Sequence, residues 1–103
     1  MTVDVGMHWT FLVIGEVDLF GHADAVTEAL LEQEKHTPGV LDSAVAVDRR
    51  RRVVEIEVTA RGADDAEAIA TGQAAVTAAV RAAGAEVVSL VPTDLSTTVL
   101  ASA

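Results

Sequence analysis

Residues Arg52–Ala60 alternate more strictly than any other part of this chain. Val54, Ile56 and Val58 fall on one side of an extended strand, and Glu55, Glu57 and Thr59 on the other. Successive side chains of a strand point to opposite faces, so this stretch has one apolar and one polar face. Val40–Val47 also alternates: Leu41, Val45 and Val47 can face inward, with Asp42 and Asp48 outward. Only the tight link Asp48–Arg51 separates the two runs. Two strands of matched length joined so closely form a hairpin. A hairpin with one apolar face must bury that face, so the rest of the chain has to supply a cover.

Two helices supply it. In Ala23–His36 the apolar spacing changes to that of a helix: Ala23, Val26, Leu30 and Gln33 share a stripe with Ala29 beside it. Asp24 and Glu28 place negative charge in the early turns, where the helix dipole favours it. Thr37-Pro38-Gly39 stops the helix. A second helix follows Arg61-Gly62-Ala63. Asp64 with Glu67 three residues on reads as a capping box, and Ile69, Gln73, Val76, Val80 and Ala83 share a face. Gly72 inside this helix costs ~1 kcal/mol against alanine, which is acceptable if the helix packs close to a sheet there. Gly84 suits the left-handed position that ends a helix.

Two further strands complete the pattern. Met7–Val17 is dense in strand formers, with Gly15 marking a bulge or a close approach. Asp18–His22 then forms a loop holding Gly21. Glu86–Val91 is the fourth strand, stopped by Pro92. The order β-α-β-β-α-β is the split βαβ arrangement of the ferredoxin-like fold. Right-handed crossovers give an α+β sandwich: an antiparallel sheet in the order 4-1-3-2 with both helices on one face. Residues 1–92 form this single domain, and residues 93–103 are a tail or an added edge strand. A chain of 103 residues buries about two-thirds of its unfolded surface, enough for a core without staples. In this topology the Val17–His22 loop, the arginine hairpin and the Gly84 turn share one end. His8, His36, Gly39, Asp64 and Pro92 share the other.

On this strand assignment the first strand is apolar on both faces: Leu12 and Ile14 on one, Trp9, Phe11 and Val13 on the other. One set points away from the helices, which calls for a cover on the open sheet face. A second copy of the chain is the expected cover, since two-fold dimers are the commonest soluble oligomers. The tail folded back is the other. Trp9, Phe11 and Val13 are the expected interface set; the equal alternative for Trp9 and Phe11 is that they plug the edge of the core.

Charge limits the partners. Sixteen acids face seven bases, for a net charge of −9. Nonspecific nucleic-acid binding rests on neutralising phosphates, so an acidic body argues against it. Trp9, Phe11 and Phe20 are the only aromatics, too few for a single-strand stacking platform. The longest apolar run, Trp9–Ile14, is interrupted by Thr10 and falls far short of the ~20 residues of a membrane span. The start MTVDVGMHW carries no basic stretch or small-residue cleavage site. The chain has no cysteine, which excludes a disulfide scaffold and a thiol nucleophile. A cytoplasmic location is expected.

The element order over Met7–Pro92 resembles the ACT-like branch of ferredoxin-like domains. These are small regulatory modules that bind effectors and often pair through sheets or helices. In that family a glycine after the first strand approaches the effector. Gly21 in DLFGHAD is the matching position, so the resemblance implies a ligand-binding role for Gly21; His22 beside it is the second ligand-binding candidate, on its own surroundings. The family's aspartate-x-proline-glycine run is absent. The order is also similar to the dimeric α+β barrel, in which two sheets face each other around a pocket.

Several side chains have both a chemical and a structural explanation. His22, near Glu16, Asp18 and Asp24, has the composition of an acid–base cluster, or it simply starts a helix. No nucleophile or phosphate-cradling glycine run accompanies it, so no catalytic residue is assigned. His36 suits the negative end of the first helix, and His8 the start of a strand. A shared metal between His8, His36 and Asp64 is the weaker alternative, and no metal or cofactor is expected. Glu55 and Glu57, two apart on one face, suit acid–base work or a divalent ion; the commoner explanation is that they solvate the sheet, or rim an interface if two sheets pair. Arg49–Arg52 holds four of the seven bases in one run. Arginine forks suit carboxylates and phosphates, so Arg49, Arg50 and Arg51 are candidates for docking a partner. The alternative is intramolecular pairing, with Arg52 near Glu16 and Asp18. The favoured function is a non-enzymatic, dimeric module that binds a small ligand or a protein partner. The alternative is a small dimeric-barrel enzyme acting on an apolar substrate around Trp9, Phe11 and His22, and RNA binding by the arginines ranks last.

Overall fold

The computed structural model describes residues 2–12, 19–84 and 94–100. In chain order it contains β1 (Thr2–Leu12), α1 (Leu19–His36), β2 (Val40–Asp48), β3 (Val53–Gly62), α2 (Asp65–Ala82) and β4 (Asp94–Leu100). The fold is α+β. Strands β2, β3 and β1 form an antiparallel sheet in that spatial order, and β4 runs antiparallel along the far side of β1. The helices pack on each other, α1 over β2 and α2 over β3 and β1.

The hairpin closes at the pair Asp48↔Val53, so its loop is the four arginines Arg49–Arg52. Asp48 starts the turn by accepting the Arg51 N–H on Oδ1 at 3.2 Å. Arg52 is left-handed, with φ 52°, and so belongs to the loop; the third strand begins one residue later than expected. At the other end of β2, Val40 pairs with Ala60 and Asp42 with Thr59. Leu41 is therefore the extra residue of a bulge. It was expected to face inward, but it is 42 % exposed while Val40 takes the buried place.

Strand β1 begins at Thr2, five residues before the expected start. Val3 and Val5 continue the inward column that Asp4 and Gly6 disguise in the sequence. Val3, Val5, Met7 and Trp9 stand opposite Gly62, Ala60, Val58 and Ile56, and all eight are buried. Trp9 is only 2 % exposed, and Phe11 packs half-buried against the same core. These two side chains face the helices, so of the two readings the core one holds and the interface one is corrected. Val13 and Ile14 lie outside the described residues. From Thr2 to Thr10 the outward column is Thr2, Asp4, Gly6, His8 and Thr10, so this strand is not apolar on both faces over that span.

Helix α1 also starts early. Residue 19 continues the spacing of 23, 26 and 30 backward, so Gly21 and His22 sit in its first turn and not in a loop. That turn holds no acid, while Lys35 and His36 occupy the last turn. A turn at Thr37–Val40 reverses the chain. The Val40 N–H donates to the Thr37 carbonyl at 3.2 Å. Pro38 and Gly39 form its corners, and Gly39 adopts φ +96°. This is the type II arrangement that requires glycine at the third position.

Helix α2 follows expectation closely. Asp64 is its N-cap, and its Oδ1 accepts the Glu67 N–H at 2.8 Å. Gly72 is buried over β1, and Gly84 closes the helix with φ +98°. The expected fourth strand, Glu86–Val91, lies outside the described residues. The strand beside β1 is Asp94–Leu100, pairing from Thr2↔Leu100 to His8↔Asp94. The order 4-1-3-2 placed the earlier segment there. Thr97, Thr98 and Val99 are β-branched and favour this conformation, although the stretch shows no alternation.

Candidate functional site

The hairpin loop and the start of α1 meet at one end of the sheet. The Arg49 guanidinium carbon lies 5.3 Å from the centre of the Phe20 ring, a cation–π distance. Phe20 is 49 % exposed. Arg49, Arg50 and Arg51 are exposed, and Arg52 is half-buried. Helix α2 ends at the same end, carrying Arg81 in its last turn. Five of the seven bases therefore gather at one end of the fold. The other two are paired: Lys35 Nζ lies 3.3 Å from Glu32, and Arg61 binds Asp4. Among the described residues, Arg50 and Arg51 form no ion pair through their side chains.

The remaining candidates do not converge. Gly21 is exposed and His22 half-buried on the first turn of α1. The acids expected near His22, Glu16 and Asp18, lie outside the described residues. His36 Nε2 is 3.2 Å from Glu32 Oε2 one turn back on α1. His8 Nε2 is 3.8 Å from Glu55 Oε1 on the outward sheet face. No cluster of three metal-ligating side chains occurs among the described residues. A shallow, open groove of about 490 Å³ lies along α1, walled by Ala25, Glu28, Leu31 and Lys35 and reaching Ala82 of α2. It does not include Trp9, Phe11 or His22.

One arrangement was missed at the sequence level. Asp4 and Arg61 face each other across β1 and β3. Arg61 Nε donates to Asp4 Oδ1 at 2.7 Å and Nη2 donates to Oδ2 at 3.0 Å. The Arg61 hydrogen bonds hold the Asp4 carboxyl below the usual range, outweighing desolvation, with the arginine charge adding to the effect. Glu32 is held low by the hydrogen bond from Lys35. The Asp4 pair depends on register, and the first strand was expected to start only at Met7. Among the described residues, no helix is long and apolar enough to cross a membrane. Comparison of the chain with family models, curated proteins and solved structures finds no match.

Proposed function

We propose that this chain is a non-enzymatic binding module, a ferredoxin-like βαββαβ sandwich of order 4-1-3-2, that docks an anionic partner on its arginine end. One observation carries this: a four-residue loop made entirely of arginine, with Arg49 seated over Phe20 and Arg50 and Arg51 exposed beside it. Gathering like charges in one tight turn raises their mutual repulsion. A bound carboxylate or phosphate relieves it and meets a fork of matching geometry. Seating one guanidinium on an aromatic ring also lowers the entropy lost when that side chain binds. The outward face of β1 and β3 carries Asp4, His8, Thr10, Glu55 and Glu57, so the proposal rests on the arginine end and not on a sheet-face dimer.

The test is a titration of isotope-labelled protein, followed by amide and arginine side-chain resonances. The probes are a capped oligoglutamate, inorganic phosphate and an oligouridylate. Saturable shifts at residues 49–51 that disappear in Arg50→Ser/Arg51→Ser support the proposal. Flat responses to all three anions sink it.

A further inference from the structure

Strand β2 is an edge of the sheet, and it leads directly into the arginine loop. Beyond the bulge at Leu41, its pairing with β3 is regular from Asp42 to Asp48. Among the described residues its other side is unpaired. Natural edges are commonly blunted by lysine, proline or a bulge within the strand. Ser43–Val47, Ser-Ala-Val-Ala-Val, has none of these. Ala44 and Ala46 are exposed and small, and Val45 and Val47 are only half-buried on the core side. Another strand laid here gains main-chain hydrogen bonds and completes the burial of both valines.

Resting on the proposed docking at the arginine end, we infer that the partner is an extended peptide segment that adds to β2 antiparallel, its N-terminal acidic residues gripped by Arg49–Arg51. The direction follows from geometry. Strand β2 runs toward the loop, so an antiparallel segment starts beside it, and antiparallel pairing is slightly the more stable kind. The charge pattern follows as well. Four positive charges set against a net −9 leave −13 for the rest of the chain. A long polyanion extends past the loop into that negative field, whereas a short acidic stretch does not. Asp42 and Asp48 flank the exposed part of β2, so the segment beyond its acidic start is neutral and β-prone. Main-chain bonds then supply affinity, and the arginines select sequence and direction, as in other strand-addition sites.

The full chain, isotope-labelled, is titrated with the capped peptide Glu-Glu-Asp-Val-Thr-Val-Thr-Val and with its reverse. Shifts at Ser43–Val47 and at residues 49–51 are expected. The forward peptide should bind at least about fivefold more tightly than the reverse, and more weakly as salt rises. N-methylating alternate peptide residues should abolish binding in one frame and spare it in the other, because alternate amides face the edge. Binding lost in Arg50→Ser/Arg51→Ser but untouched by either N-methylated frame overturns strand addition and leaves the docking proposal standing. Preference for the reverse peptide overturns the antiparallel assignment. Tighter binding of oligouridylate at the loop overturns the peptide as partner. Silence at residues 49–51 with every probe removes both proposals together.

Discussion

Gly72 of α2 sits directly on Met7 of β1: a Cβ at position 72 would collide with Met7 Cε and lie 2.5 Å from its Sδ. Met7 is 2 % exposed and has little room to retreat. Alanine at 72 gains ~1 kcal/mol of helix propensity, while overpacking a core costs about 1–3 kcal/mol. Gly72→Ala should therefore destabilise the protein by about 1 kcal/mol. In a Met7→Ala background the same change should stabilise by a similar amount, since the collision is gone. Urea unfolding of the four proteins of this cycle checks the reversal of sign.

Trp9 is the only tryptophan, and its indole N–H is buried without a hydrogen-bond partner among the described residues. Its fluorescence should be blue-shifted from that of free tryptophan, insensitive to iodide and independent of protein concentration. Concentration-dependent emission would place the ring in an interface after all. Trp9→Phe forfeits no hydrogen bond to any described residue. It should cost less than the about 3–5 kcal/mol typical of truncation to alanine.

The Asp4 carboxyl should titrate below ordinary aspartates, and in Arg61→Gln its midpoint should return to the usual range. A carboxyl with a lowered folded pKa contributes stability above its unfolded pKa, and that contribution fades as pH falls through the folded value. The acid limb of the stability curve should lose this component in Arg61→Gln. Carbon-13 titration of the Asp4 side chain reads the first effect and chemical denaturation across acid pH the second.

Asp64 satisfies the Glu67 N–H at the start of α2. Asp64→Ala should cost about 1 kcal/mol, and Asp64→Ser much less, because serine also caps well. Thermal unfolding followed by far-ultraviolet circular dichroism checks the ranking.

Position-specific chemistry made parts of this fold legible in the sequence. The alternation of Val54, Ile56 and Val58 located the central hairpin strand, and Asp64, Gly72 and Gly84 each hold the place their chemistry implied. The errors came where one signal masked another. Asp4 and Gly6 hid the first five residues of β1, so the inward column of Val3 and Val5 that places Trp9 and Phe11 in the core was not seen and their place stayed open between core and interface. Once the strand started too late, the Asp4–Arg61 pair was invisible. Gly21 and His22 looked like a loop because glycine weakens a helical pattern. Leu41 was read as inward because a bulge leaves no trace in an alternating sequence. At the arginine end, Asp48 starting the turn was legible, and the seat of Arg49 on Phe20 was not. That contact joins elements far apart in the chain.

The all-arginine loop also has an effect at a distance. Positive charge concentrated at one end of an otherwise negative molecule makes a large electric dipole. Beyond a Debye length, about 8 Å at physiological salt, little of this is felt. Inside that range an approaching anion exerts a torque as well as a force, turning the arginine end toward itself while the net charge still repels it. Orientation then precedes capture, and low salt should sharpen the choice of which end is met first without raising nonspecific adhesion elsewhere.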